Sequence, residues 1–286
     1  MKKMIIGSSG KIGKYFLDQK NFIFTYYSKK IKGGIKFNLL NDSLDNIIDK
    51  NKVSQVVILS SYSDPDFCKK YLKMSRLLNV KKTKEIIDSL ISRNIYFIFF
   101  STEFVYDGKK GNYTENDKTD PINIYGKQKI EIEKYIQKKT KKFCIFRVAK
   151  TYGDNFKEKT LITDFLIKCK SGQEIYAASD QIFSPLYIKD LVRITLFFLK
   201  KEIKGIYNLG GGTSFTRYEL YNKFNNLLSN NKSKYKLGKI IKTKMSNFKF
   251  FERRPNNVSL DTNKIQKVIN FKLSDIERIF KNIAKC

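Results

Sequence analysis

Met4-Ile5-Ile6-Gly7-Ser8-Ser9-Gly10-Lys11-Ile12-Gly13 sets a short apolar run directly before three glycines with the spacing GxxGxxG. An apolar run this short, ending in glycine, fits a buried strand that delivers the chain into a tight turn. Missing side chains let the backbone approach a pyrophosphate closely. Amide groups at the start of a following helix can then bind its oxygens. Gly7, Gly10, Lys11, Ile12 and Gly13 are therefore the first candidate cofactor-binding residues. Such a loop is also an ordinary turn when it stands alone, so its meaning depends on what surrounds it.

Beyond the loop, short apolar strands alternate with amphipathic helices. A helix is expected over 11–20, strands over 21–27 and near 35–37, a helix over 42–50 and a strand over 53–60. The stretch 64–92 suits one or two helices, and IYFIFF at 95–100 is a buried strand. A helix over 123–139 and a strand over 143–147 complete this half. Farther on, helices are expected over 161–170, 189–200, 217–228 and 274–283, with a strand over 206–209. The pattern predicts an α/β fold with a Rossmann-type parallel sheet and a smaller C-terminal substrate-binding lobe. Residues 1–150 should form mainly the NAD(P)-binding domain and 151–286 mainly the substrate lobe, some later segments returning to the sheet.

The end of the second strand bears on the cofactor. A carboxylate there would favour the free ribose hydroxyl of NAD, but Tyr27-Ser28-Lys29-Lys30 offers hydroxyl and cationic groups instead. Ser28 and Lys29 suit the extra phosphate of NADP, so NADP is preferred and NAD remains open.

Tyr125-Gly126-Lys127-Gln128-Lys129 places a phenol and an ammonium four positions apart, on one face of a helix. A carbonyl that receives hydride also needs a proton. Tyr125 can supply it, and Lys129 can stabilise the phenolate left behind or hold the nicotinamide ribose. With 17 tyrosines and 49 lysines the spacing could be accidental. Ser101-Thr102-Glu103, however, follows the buried strand at its carboxyl end, where open parallel sheets bind ligands. Thr102 is the candidate hydrogen-bond donor to a substrate carbonyl, with Ser101 assisting or supporting the loop.

Composition limits the other classes. Hydrophobic residues make up 41% of 286, which excludes a disordered chain. The formal charge of +30 comes with lysines in almost every segment, so it describes a solvated, compositionally biased surface and identifies no nucleic-acid partner. Histidine is absent and Cys68, Cys144, Cys169 and Cys286 form no close pair, so neither a metal site nor a histidine-based triad is expected. No apolar run is long enough to span a membrane, and a cytoplasmic location is the expectation.

Further motifs give the chain a specific likeness. STEFVYDG (101–108), PINIYGKQKIEIE (121–133), FRVAKTYG (146–153), SDQIFSPLYIKDLV (179–192) and RRPNNVSLDTNKI (253–265) occur in order. With GSSGKIG, they make the sequence resemble the dTDP-4-dehydrorhamnose reductase group of extended short-chain dehydrogenases/reductases, over nearly its whole length. The resemblance implies Asn38 and Leu39 at the adenine, and Ser60, Ser61 and Tyr62 in the post-strand cofactor segment. It carries the catalytic roles onto Thr102, Tyr125 and Lys129. It also implies substrate contacts at Glu103, Gln181, Ser184 and Arg254, the last preferred to Arg253 because it immediately precedes Pro255. Glu103 and Phe104 stand where the family usually has Asp and Tyr, while Phe183 and Leu186 replace its usual Gly and Thr. The implied reaction is NAD(P)H-dependent reduction, at C4, of a 4-keto-6-deoxy sugar on a nucleoside diphosphate, in a chain that can form a homodimer. The alternatives are an epimerase or dehydratase, and a non-catalytic subunit that binds cofactor or sugar nucleotide.

Overall fold

The computed structural model describes residues 2–155, 160–230 and 237–284. In its first half, strands β1 (Lys2–Ile6), β2 (Phe22–Tyr26), β3 (Ile35–Lys36), β4 (Val53–Ile58), β5 (Tyr96–Thr102) and β6 (Phe143–Val148) alternate with helices. The helices are α1 (Asp45–Asn51), α2 (Pro65–Lys70), α3 (Leu72–Arg76), α4 (Thr83–Ser92) and α5 (Ile124–Lys139). The second half begins with β7 (Thr151–Tyr152), α6 (Leu161–Lys170), β8 (Ile175–Ala178), β9 (Ile182–Phe183), β10 (Leu186–Tyr187) and α7 (Ile188–Lys201). It ends with β11 (Gly205–Leu209), β12 (Phe215–Thr216), α8 (Arg217–Asn230), β13 (Ile240–Thr243), α9 (Asn263–Val268) and α10 (Ile276–Ala284).

Seven strands form one parallel sheet in the order β11-β6-β5-β4-β1-β2-β3. All seven residues of β5 are buried, which explains its unbroken apolar run: helices cover both faces. One face packs Tyr96, Ile98 and Phe146 with Phe198 of α7, and the other packs Phe97, Phe99 and Ile145 with Ile132 of α5. Strand order reverses between β1 and β4, which opens a crevice at their carboxyl ends. β11 and α7 return from the second half to complete the sheet and its cover. The remaining elements form a smaller lobe around Phe165, Phe224 and Phe280, the last two stacked at 3.6 Å. Among the described residues, no helix is long and apolar enough to cross a membrane.

One expectation about helices is corrected. The segment 11–20 forms only a 3-10 turn, Gly13–Phe16, with Tyr15, Leu17 and Gln19 amides bonding three residues back to Ile12, Lys14 and Phe16. Ile12 provides no side-chain cap and no acid lies in the first turn, so nothing offsets the cost of starting an α-helix. The stretch 64–92, expected as one or two helices, is helical as α2, α3 and α4. It starts at Asp64, which caps Phe67 N–H at 2.9 Å, and widens into a π-helical turn over Leu77–Lys82.

Candidate active site

The glycine loop is tied down from below. Gly7 and Ser8 amides donate to Thr25 of β2 at 3.2 and 2.9 Å, and Ser8 Oγ donates to Ile5 O at 2.9 Å. A Cβ on Gly13 would lie 2.6 Å from both Gly7 O and Ser8 Cα, so the loop folds against its own backbone and admits no side chain there. This tight cradle fits a pyrophosphate. Gly7, Gly10, Lys11, Ile12 and Gly13 line one end of a cavity of about 850 Å³ along the carboxyl ends of the strands.

Other expected cofactor residues stand elsewhere. Ser28 and Lys29 are exposed beyond β2, outside the cavity wall. Asn38 is occupied locally, its amide donating to Asp42 at 2.6 Å and its Oδ1 accepting from Leu40 N–H, while Leu39 packs on the core. Both pairs lie at the β2–β3 edge of the sheet. Ser60 Oγ is buried with no partner among the described residues, and Tyr62 rests on Phe67 at 4.5 Å, whereas Ser61 reaches the cavity.

The three proposed catalytic side chains come together in this cavity. Thr102 ends β5; its Oγ1 accepts from Phe104 N–H at 3.3 Å and donates to Glu103 Oε2 at 3.1 Å. Tyr125 enters on α5, whose start is capped by Asn123 accepting from Gly126 N–H at 2.8 Å. Gly126 permits the close seat of that helix: a Cβ there would meet Phe104 O at 2.1 Å. Lys129 Nζ donates to Phe100 O at 2.7 Å and sits 5.8 Å from the Tyr125 ring centre.

Electrostatics at this point are set by burial. Burial, then the Glu103 charge, raise Tyr125 above the ordinary phenol value; the Thr102 and Ser61 hydroxyls act in the opposite sense. Burial brings Lys129 down to about 7 despite the pull of Cys68 and Glu133. Glu103 is pushed up to about 7, again chiefly by burial. A phenol that holds its proton, beside an ammonium that readily changes charge, can deliver a proton to an alkoxide.

Two networks hold the group in place. Asn79, on the π-helical turn, accepts from Ser61 Oγ and Tyr62 N–H at 3.1 and 2.8 Å, and donates to Tyr62 O and to Gln128 on α5 at 2.9 and 2.7 Å. It clamps the loop after β4 to the catalytic helix. Beneath it, Arg147 of β6 forks onto Glu133 of α5, with Nη2–Oε2 at 2.7 Å, and Ser101 Oγ donates to Glu133 Oε1 at 2.5 Å. Ser101, which also lines the cavity, thereby ties the end of β5 to the catalytic helix.

On the far wall, Gln181 lines the cavity, and its Oε1 accepts from Arg217 Nε at 3.1 Å. Arg254 lines it too, paired with Asp66 at 3.1 Å and lying over Phe250. Ser184 does not reach the wall: it is fully buried, bonding Ser214 Oγ at 2.9 Å and accepting from Leu260 N–H at 3.0 Å. Reading the sequence missed Asn79, Lys150 and Arg217. In a chain this rich in asparagine and lysine no local signal marks the first two. Arg217, one of eight arginines, was the one that composition could have flagged.

Comparison with known proteins agrees with this architecture. The family model described as "RmlD substrate binding domain" matches residues 1–285. A dTDP-4-dehydrorhamnose reductase of Aggregatibacter actinomycetemcomitans is 26% identical over 252 residues, 85% of this chain and 84% of that protein. The methionine adenosyltransferase 2 subunit beta of Xenopus tropicalis is 25% identical over 232 residues, 77% of this chain and 70% of that one. In fold, the chain is similar to a dTDP-4-dehydrorhamnose reductase of Bacillus anthracis str. Ames solved in complex with NADP. The TM-score is 0.85 at 20% identity, with 99% of each chain covered. With the glycine cradle and the Thr102, Tyr125 and Lys129 cluster in one cleft, the chain belongs to the RmlD substrate binding domain family, in the nucleotide-sugar oxidoreductase class with an NAD(P)-binding fold.

Proposed function

We propose that this protein reduces the C4 ketone of a 4-keto-6-deoxy sugar carried on a nucleoside diphosphate, in the cytoplasm and with NADPH preferred to NADH. The convergence of Thr102, Tyr125 and Lys129 at the carboxyl end of β5 carries this reading. The cradle at Gly7 to Gly13 would hold the dinucleotide pyrophosphate, with Ser28 and Lys29 at its 2′-phosphate and Asn38 and Leu39 toward adenine. The bound nicotinamide supplies the hydride. Thr102 orients the ketone oxygen, Tyr125 gives its proton to the alkoxide, and Lys129 stabilises the phenolate that remains. Gln181 and Arg254 hold the nucleotide sugar from the second lobe, where the arginine fork matches phosphate oxygens.

A panel of 4-keto-6-deoxy nucleotide sugars with NADPH or NADH, read by mass and NMR, tests the proposal. Cofactor oxidation with a new C4 alcohol is expected. Tyr125→Phe should cut turnover by about 10²–10⁴-fold while leaving cofactor binding measurable; near-normal turnover removes the assigned proton transfer. The likeness to a methionine adenosyltransferase subunit favours a second reading, a binding subunit without turnover. Saturable cofactor binding with no product across the panel would select it.

A further inference from the structure

A hydroxyl carries one proton and two lone pairs, so it can donate only once. Thr102 Oγ1 accepts from Phe104 N–H at 3.3 Å, and its proton goes to Glu103 Oε2 at 3.1 Å. One lone pair remains. A ketone oxygen is itself only an acceptor and cannot bind there. With Glu103 ionised, Thr102 therefore meets a ketone with the wrong polarity. Protonation of Glu103 reverses the bond. The neutral carboxyl has an O–H that donates to Thr102 Oγ1 across the same separation. Phe104 N–H and Glu103 O–H then fill both lone pairs, and the hydroxyl proton is left for the ketone.

Glu103 is placed to act in this way. It is buried, lines the cavity beside Thr102 and Tyr125, and among the described residues has no cation within ion-pair distance. Its 3-10 turn, Glu103–Val105, packs on α5 and β6. The buried titratable side chains of those elements are Tyr125, Lys129 and Glu133 on α5 and Cys144 and Arg147 on β6. Glu133 and Arg147 hold each other, and Lys129 rests on Phe100 O. Lys150, Arg217 and Arg254 line the same cavity. Burial outweighs the pull of the Glu103 backbone N–H, Lys150 and Thr102, so Glu103 is pushed up to about 7 and both its forms occur near neutrality.

We propose that Glu103 is a positioning residue that sets the polarity of Thr102: its neutral carboxyl donates to Oγ1 and frees the hydroxyl proton for the ketone, whereas its carboxylate withdraws that proton. This rests on the reading of the cavity as a site for a C4 ketone and adds the condition under which the ketone is held. The proton on Glu103 comes from solvent and returns to it, and no bond of the substrate forms or breaks in the step.

Isothermal titration with NADP⁺ and NAD⁺ both present, neither of which carries hydride, tests this. The probes are 4-keto-6-deoxyglucose and its 4-deoxy counterpart, each on dTDP and on UDP; the counterpart has CH2 at C4 and accepts no hydrogen bond there. The wild-type preference for the ketone should fall about threefold to tenfold between about pH 6 and about pH 8.5, as the loss of one hydrogen bond requires. Glu103→Gln, whose amide N–H can donate to Thr102 at every pH, should keep the preference that the wild type shows at the acid end. In Thr102→Val the pH dependence should vanish, with or without Glu103→Gln, because Glu103 acts only through that hydroxyl. Melting temperatures check that the variants fold, and Thr102→Val decides alone should Glu103→Gln not fold. A wild-type preference that changes by less than about twofold, a fall that survives in either variant, or no binding of a keto probe overturns the proposal. Hydride transfer plays no part in this readout. Absence of reduction with NADPH therefore leaves the role of Glu103 standing, and a flat preference alongside normal reduction removes that role alone.

Discussion

Arg147→Met isolates the charge pair that fastens the catalytic helix to the sheet. Arg147 Nε and Nη2 reach Glu133 at 3.1 and 2.7 Å, Nη1 reaches Tyr106 OH at 2.8 Å, and the two side chains are 5% and 0% exposed. Removing the guanidinium leaves a fully buried carboxylate with Ser101 Oγ as its remaining side-chain donor. Breaking one partner of such a pair costs about 3–5 kcal/mol, because the surviving charge stays buried without compensation. At roughly 2–4 °C per kcal/mol for a chain of this order of size, the melting temperature should fall by about 6–20 °C. The Arg147→Met/Glu133→Leu double variant removes both charges and should recover at least half of the loss. Chemical denaturation of wild type, both single variants and the double variant gives the coupling energy directly. Because β6 and α5 carry the two partners, the single variants should also lose turnover. A single-variant loss below about 1 kcal/mol, or a double variant losing the full sum of the singles, would refute the account of an uncompensated buried charge.

Gly13→Ala should weaken NADPH binding at least tenfold in a fluorescence titration, since its Cβ has no room between Gly7 O and Ser8 Cα. Gly212→Ala, where nothing lies within 4 Å, should bind as wild type does; equal affinities for the two variants would count against the cradle. Lys129 has its folded pKa lowered to about 7, so between about pH 7 and its unfolded value the unfolded chain holds more protons and stability rises with pH. Lys129→Met should flatten that rise in pH-dependent denaturation and abolish turnover; an unchanged pH slope would contradict the burial argument. Glu103 is the reverse case. Its folded pKa is raised to about 7, so stability is fullest below the unfolded carboxylate value and declines as pH rises through about 7. Glu103→Gln should remove that decline, and its persistence would assign the slope to other groups.

Much of the fold was legible because strand and helix periodicities are local. Residues 95–100 announced a buried strand, and the seven-stranded sheet places it in its interior, between β6 and β4. Asn123 before Tyr125 marked the start of α5 within a residue, since a cap and its helix are neighbours in the chain. The 11–20 segment misled because its apolar spacing permits a helix, whereas its missing cap and short length leave only a 3-10 turn. Ser184 misled for another reason: its motif sits near the cavity, but its hydroxyl is turned inward to Leu260 and Ser214.

The glycine loop, the Tyr125–Lys129 spacing on one helix face and Thr102 at a strand end can be read from the chain alone, because each depends on residues a few positions apart. The distant residues that complete them are brought in by packing. Asn79 meets Gln128 across 49 positions, and Gln181 and Arg254 of the second half line the same cavity as Thr102 and Tyr125 of the first. Such meetings depend on how layers pack, and a lysine or asparagine carries no local mark of the wall it will line.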